Sequence, residues 1–175
     1  MRQFQIERPN KCKSCPKRNT CTLFDITEYN IFSNMKAFYK VFQDLEKKVD
    51  KKETDYISLT PVMITNGTLA AELAIKLLTY KEKHTFECTH ELIELYNNLP
   101  KTYKNPLSDL LKSQIHLDDI GLEESIKDIS DFFVDWRYSF TRLVNGYSHF
   151  LCEFIHIVCD YAIEQNEFVE TSETV

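Results

Sequence analysis

DFFVDWRYSFTRLVNGYSHFLCEFIHIVCDYAIEQN, residues 131–166, is the stretch whose reading decides the fold. Within it Phe133, Trp136, Phe140, Leu143, Tyr147, Phe150, Phe154, Ile157 and Tyr161 recur at alternating steps of three and four. A mean spacing of about 3.5 residues keeps one face of a helix toward its neighbours, so the stretch reads as one long bundle helix. In the same register Asp135, Arg142, His149 and His156 fall seven apart and stack along one flank. Arg137 lies on the opposite flank, in line with Val144, Leu151 and Val158, where a charge is not expected.

Upstream, the same periodicity predicts further helices. Residues 28–52 bury Phe32, Met35, Phe38, Tyr39, Phe42 and Leu45, and their lysine-rich end suits a helix C-terminus. Residues 47–55 form a charged linker. Thr60-Pro61 has the form of a helix start, a capping hydroxyl followed by proline at the first helical position. That helix runs through Leu69, Leu73, Leu77 and Tyr80, with Gly67 weakening its first turns. Thr89 caps a short helix over 90–98, and Asn105-Pro106 starts another through Leu107, Leu110, Leu111 and Ile115. Leu122, Ile126 and Ile129 then lead into the long last helix.

Composition agrees. Three glycines and five prolines leave little of the punctuation that β-sandwiches and barrels need. With 175 residues, 43% of them hydrophobic, the chain can bury one real core. The fold class expected is all-α: an antiparallel up-and-down bundle of four to five core helices with short accessory helices. No run approaches about 18 consecutive apolar residues, and the N-terminus lacks the apolar core of a signal peptide. A cytoplasmic protein without membrane association is the expectation.

Charge and cysteine divide the chain into three parts. Residues 1–27 are a basic, cysteine-bearing arm; within 1–24, six Lys/Arg face Glu7 alone. Residues 28–166 are the bundle, and 167–175 an acidic, solvated tail. The total of −6 argues against wrapping long nucleic acid, while leaving room for a small site that reads one or two nucleotides. Cys12-x-x-Cys15 followed by Cys21 has the turn spacing of a metal knuckle, and without a secretory signal it points to a structural zinc. The fourth ligand would come from Cys88, His84 or His90. The alternative is free cysteines on the arm, with an iron–sulfur cluster ranked below zinc. Cys152 and Cys159 read as packing residues.

Arg137 on its apolar flank needs a carboxylate, because a buried guanidinium is tolerated only when paired. Glu72, at the edge of its helix's buried stripe, is the natural partner, and the pair would lock two core helices. Phosphate binding by Arg137 is the sharper alternative.

Three segments carry a resemblance: Asn66-Gly-Thr-Leu-Ala-Ala-Glu-Leu-Ala-Ile-Lys-Leu-Leu78, Thr89-His-Glu-Leu-Ile-Glu-Leu-Tyr-Asn-Asn-Leu-Pro100 and Phe133-Val-Asp-Trp-Arg-Tyr-Ser-Phe140. In this order the chain resembles the HEPN superfamily of small helical bundles, over roughly residues 38–162. The resemblance implies a four- to five-helix bundle, often a homodimer. Many members are metal-independent ribonucleases of toxin–antitoxin or phage-defence systems, while others only bind or scaffold. The signature implied is an arginine followed, after four to six residues, by a histidine on the last core helix. Arg142 and His149 meet that spacing with six residues between them, although Leu143 stands where the family has a polar residue. Arg137 matches by its Trp-Arg-Tyr surroundings but has no histidine in the window.

The chemistry needs those two residue types. Metal-free RNA hydrolysis uses a proton-transfer group titrating near neutrality, and a guanidinium offsets charge gathering on the phosphate. Seven residues of helix separate Arg142 and His149 by about 10 Å along the axis, too far for one phosphate within one protomer. A dimer that sets Arg142 of one copy against His149 of the other would close the site. No cofactor is needed for catalysis. The plainer alternative is a solvated flank, with the protein a non-catalytic dimeric module that binds a partner protein.

Overall fold

The computed structural model describes residues 27–51, 56–85, 87–138 and 149–170, as backbone alone for 56–57, 131–138 and 167–170. Among them are six helices: α1 (Glu28–Asp50), α2 (Tyr56–Lys83), α3 (Leu92–Asn97), α4 (Lys101–Ile115), α5 (Asp119–Tyr138) and α6 (His149–Glu170). The described residues form an all-α bundle with no strand. The stretch read as one long helix is described as the end of α5 and most of α6, and residues 139–148 lie outside the described part, as do 1–26 and 171–175.

Local signals explain most helix ends. The Thr27 hydroxyl caps α1 by accepting the Asn30 N–H at 3.2 Å, with Glu28 in the first turn and Lys47 and Lys48 in the last. The two proline starts are corrected by the structure. Pro61 and Pro106 each lie inside a helix that begins a turn earlier, at Tyr56 and Lys101. Both prolines are exposed, so the hydrogen bond each removes is lost where water can replace it. Thr89 does not cap the short helix directly; its hydroxyl accepts the Glu91 N–H at 3.2 Å, and α3 starts only at Leu92. His84 and His116 end α2 and α4 with left-handed φ values of 53° and 60°, a role more often filled by glycine or asparagine.

Helix α2 is the hub. Near its end the Lys81 ammonium reaches Glu28 at the start of α1 (3.1 Å), and the Gln165 carbonyl (2.9 Å) and Asn166 Oδ1 (3.0 Å) on α6. Fourteen residues earlier, Gly67 faces Phe42 of α1 and Ile155 of α6. Together these contacts set α2 antiparallel to α1 and parallel to α6. The segment Ser58–Lys83 has the length and hydropathy to cross a membrane, yet 72% of its most apolar window is buried inside the bundle. It behaves as a core helix. Met63, Ile64, Ala70, Ala71, Ala74, Ile75, Leu77 and Leu78 fill the interior with Phe42, Phe154, Ile155 and Val158.

The glycine that weakens α2 on propensity is needed for packing. A Cβ at Gly67 would sit 2.5 Å from the Phe42 ring and 2.8 Å from Ile155 Cδ1, both in fully buried side chains. Overpacking of this kind costs about 1–3 kcal/mol, against roughly 1 kcal/mol of helix propensity gained. Gly67→Ala is therefore expected to lower stability by about 1–2 kcal/mol in denaturant melts. An equal or higher midpoint would show that α1 and α6 do not close on α2 at this point.

Candidate functional site

Among the described residues, two polar clusters are built around a histidine, one on α2 and one between α1 and α6. The first is centred on Glu72, whose side chain is only 4% exposed. Its Oε1 accepts from the buried Lys76 ammonium at 2.7 Å, one helical turn on, and from His90 Nδ1 at 2.9 Å. Glutamate four residues ahead of lysine is the favourable orientation for a helical pair. Taking both charges out of water is expensive, and the pair repays that only when its remaining hydrogen bonds are met. His90 comes from the loop before α3, which places an imidazole that is 60% exposed over a buried carboxylate.

Arg137, expected to pair with Glu72, lies on α5, a helix that packs against α2 and α3; its side chain falls outside the described residues. The side chain of Asp135 does too. The structure buries Glu72 as the sequence pattern requires and gives it Lys76 and His90 as cationic or donor partners. Removing Lys76 would leave a buried carboxylate without its ammonium. Lys76→Met is expected to destabilise the fold by roughly 3–5 kcal/mol. A loss below about 1 kcal/mol in a thermal or denaturant melt would mean that the pair is solvated.

The second cluster joins α1 to α6. His156 Nε2 lies 2.8 Å from Glu46 Oε2, and its Nδ1 lies 2.8 Å from the Tyr39 hydroxyl. Tyr39 in turn donates to Asp160 Oδ1 at 2.8 Å. Because the phenol proton goes to Asp160, the Tyr39 oxygen is left to accept from His156 Nδ1–H, and Glu46 accepts from Nε2–H. Both ring nitrogens then donate, so His156 is an imidazolium held between the Glu46 carboxylate and the Tyr39 hydroxyl. The Phe42 ring, 5.2 Å away between centroids, covers one side of it.

The titration behaviour follows from these contacts. The hydrogen bond to Glu46 raises the His156 pKa; burial opposes it, and the charges of Glu46, Asp160 and Glu153 add to the rise. Burial, and then the bond to Asp160, drives the Tyr39 phenol far above its usual range. Cys152 is pushed up to about 12 by burial and by Glu46, Asp50 and Glu153, and Cys159 is raised by burial first. Both are inert, protonated packing thiols.

His149 differs from His156 although both belong to the same sequence stripe. It is the first residue of α6, its side chain is 88% exposed, and its Nε2 is 3.9 Å from Glu153. Arg142 lies outside the described residues. His149 stands six residues before Ile155, which faces Gly67, and Glu72 stands five residues after Gly67. The two sites are thus about 16 Å apart along the helix axes. Cys12, Cys15 and Cys21 lie outside the described residues, among which no group of three metal-ligating side chains occurs. Of the proposed fourth ligands, Cys88 is exposed, His84 ends α2 with its ring edge-on to Tyr80, and His90 is held by Glu72.

No family model, no curated protein and no solved structure matches this chain. The functional reading therefore rests on the site residues and the three sequence segments.

No periodic pattern signals the Tyr39–His156 bond, which spans 117 residues, or the turn of His90 onto α2. A raised histidine pKa stabilises the fold while the ring is charged. That contribution is complete below the unfolded value of about 6.5 and is lost as pH rises through the higher folded value. Melting temperature should accordingly fall as pH climbs above about 6.5, and His156→Gln should remove that part of the slope. A His156→Gln melt with the wild-type pH dependence would place the titration elsewhere.

Proposed function

We propose that this chain is a HEPN-like, RNA-directed protein that works as a homodimer. In this reading it cleaves RNA without a metal, with Arg142 of one copy and His149 of the other meeting at one phosphate. The observation that carries the reading is the position of His149. It opens α6, it is almost fully exposed, and no strong hydrogen bond to a described residue ties it down, so a second copy and a ligand can both reach it. His156, one stripe position further on, is consumed by Glu46 and Tyr39 and has a structural role. Proton transfer by His149 and charge stabilisation by Arg142 supply the two functions the reaction needs. The basic arm of residues 1–27, with Cys12, Cys15 and Cys21 on a structural zinc, would add phosphate contacts beside an otherwise acidic bundle.

One feature favours a second reading. Glu153 beside His149, Asp160 further along α6, and Glu46 of α1 against His156 make this flank acidic, which repels a polyanion and suits a partner protein. The experiment that separates the two uses single-stranded RNA in EDTA, with light scattering to read the oligomeric state. The RNA-directed reading expects a dimer that cuts RNA, and at least a 100-fold loss in His149→Ala with an unchanged melting temperature. A dimer that neither binds nor cuts RNA supports the partner-protein module. A monomer contradicts both.

A further inference from the structure

Cleavage of RNA at a 2′-hydroxyl moves two protons, one off the attacking oxygen and one onto the leaving oxygen. The Arg142–His149 pair contains a single proton-transfer group. The Glu72 cluster offers the other. A buried carboxylate that receives Nδ1–H of an exposed histidine fixes the neutral ring in one tautomer, with the lone pair on Nε2. It also faces the positive charge that develops when Nε2 takes a proton. Lys76 balances the carboxylate while the ring is neutral.

We propose that Glu72 and His90 form an acid–base dyad in which His90 Nε2 takes the proton from an RNA 2′-hydroxyl, opposite His149 of a second copy. The inference rests on the RNA-directed reading of the previous section. Within one chain the two histidines lie about 16 Å apart along the helix axes, so they share a phosphate only across the dimer. His90 Nε2 removes the 2′-hydroxyl proton, and the 2′-oxygen attacks the adjacent phosphorus. The bond from phosphorus to the 5′-oxygen breaks, and that oxygen leaves with a proton from the protonated His149. The products are a 2′,3′-cyclic phosphate and a free 5′-hydroxyl. His90 then holds one proton more and His149 one fewer, and exchange with water restores both. Glu72 touches no substrate; it is a positioning residue for His90.

The test uses the full chain, a single-stranded RNA oligonucleotide, EDTA, and three variants: His90→Ala, His149→Ala and Glu72→Gln. RNA binding is followed by fluorescence anisotropy beside the cleavage rate. His90→Ala should lose at least about 100-fold in rate at temperatures well below its own melting temperature, which the lost contact to Glu72 lowers. Glu72→Gln should displace the base limb of the pH–rate profile; where that buried change unfolds the chain, the exposed His90→Gln takes its place, with the rate loss of His90→Ala. Mixing the inactive His90→Ala and His149→Ala dimers and allowing exchange should restore up to about one quarter of the wild-type rate. Only a mixed dimer has one site with both histidines intact. A His90→Ala rate within twofold of wild type overturns the dyad, and so does an inactive His90→Ala that the His149→Ala chain cannot complement. RNA that is bound but not cut overturns the dyad and the cleavage step of the RNA-directed reading, and leaves RNA binding alone standing. RNA that is not bound overturns both.

Discussion

A carboxylate in the interior of a helical bundle constrains everything around it, and Glu72 is such a group. Its charge cannot be left alone there, because an uncompensated buried ion costs several kcal/mol, on the order of the whole stability of a small domain. Lys76 answers it from the same helix, where a spacing of four places the two side chains together. His90 answers it from the loop beyond, and so draws the start of α3 down onto α2. Helix α3 then has a fixed seat from which the N–H of Ile93 meets Ser130 of α5 at 3.4 Å. One buried charge thus orders the α2–α3–α5 side of the molecule while presenting an imidazole to solvent.

The opposite side of α2 is ordered by contact of another kind. Gly67 lets the Phe42 ring and Ile155 close on the α2 backbone, and the bundle is tight there because the position lacks a side chain. Next to that dry contact runs the polar clamp of Glu46, His156, Tyr39 and Asp160, which fixes the register of α1 against α6. His156 is thereby withdrawn from chemistry. His149, two turns earlier on the same helix, stays open. A stripe of equivalent letters in the sequence becomes one structural and one available histidine, and the difference is that Tyr39 and Glu46 of α1 hold His156.

The helices were legible because their apolar residues repeat at three and four, and Met35, Tyr39, Phe42, Phe154, Ile157 and Tyr161 are all buried as that pattern requires. The starts of α2 and α4 were not. Proline at the first helical position is the common case, yet both prolines lie on an exposed side one turn in, where the missing N–H is of little consequence. Burial of Glu72 could be read from its place at the edge of a stripe, and Lys76 from the spacing of four. His90 could not, because the path of a loop is set by tertiary contacts that leave no periodic trace. The same holds for Tyr39 and His156, each of which reads alone as an ordinary bundle residue.

The tautomer of His90 is the most direct test of this account, since the buried carboxylate, the loop and the proposed proton transfer all meet in that ring. Long-range nitrogen–proton correlation spectra of the 15N-labelled protein, assigned through His90→Gln, report which nitrogen carries the proton when the ring is neutral. The account predicts a proton fixed on Nδ1 and a free lone pair on Nε2. A neutral His90 protonated on Nε2, or exchanging between the two forms as a free imidazole does, would contradict it.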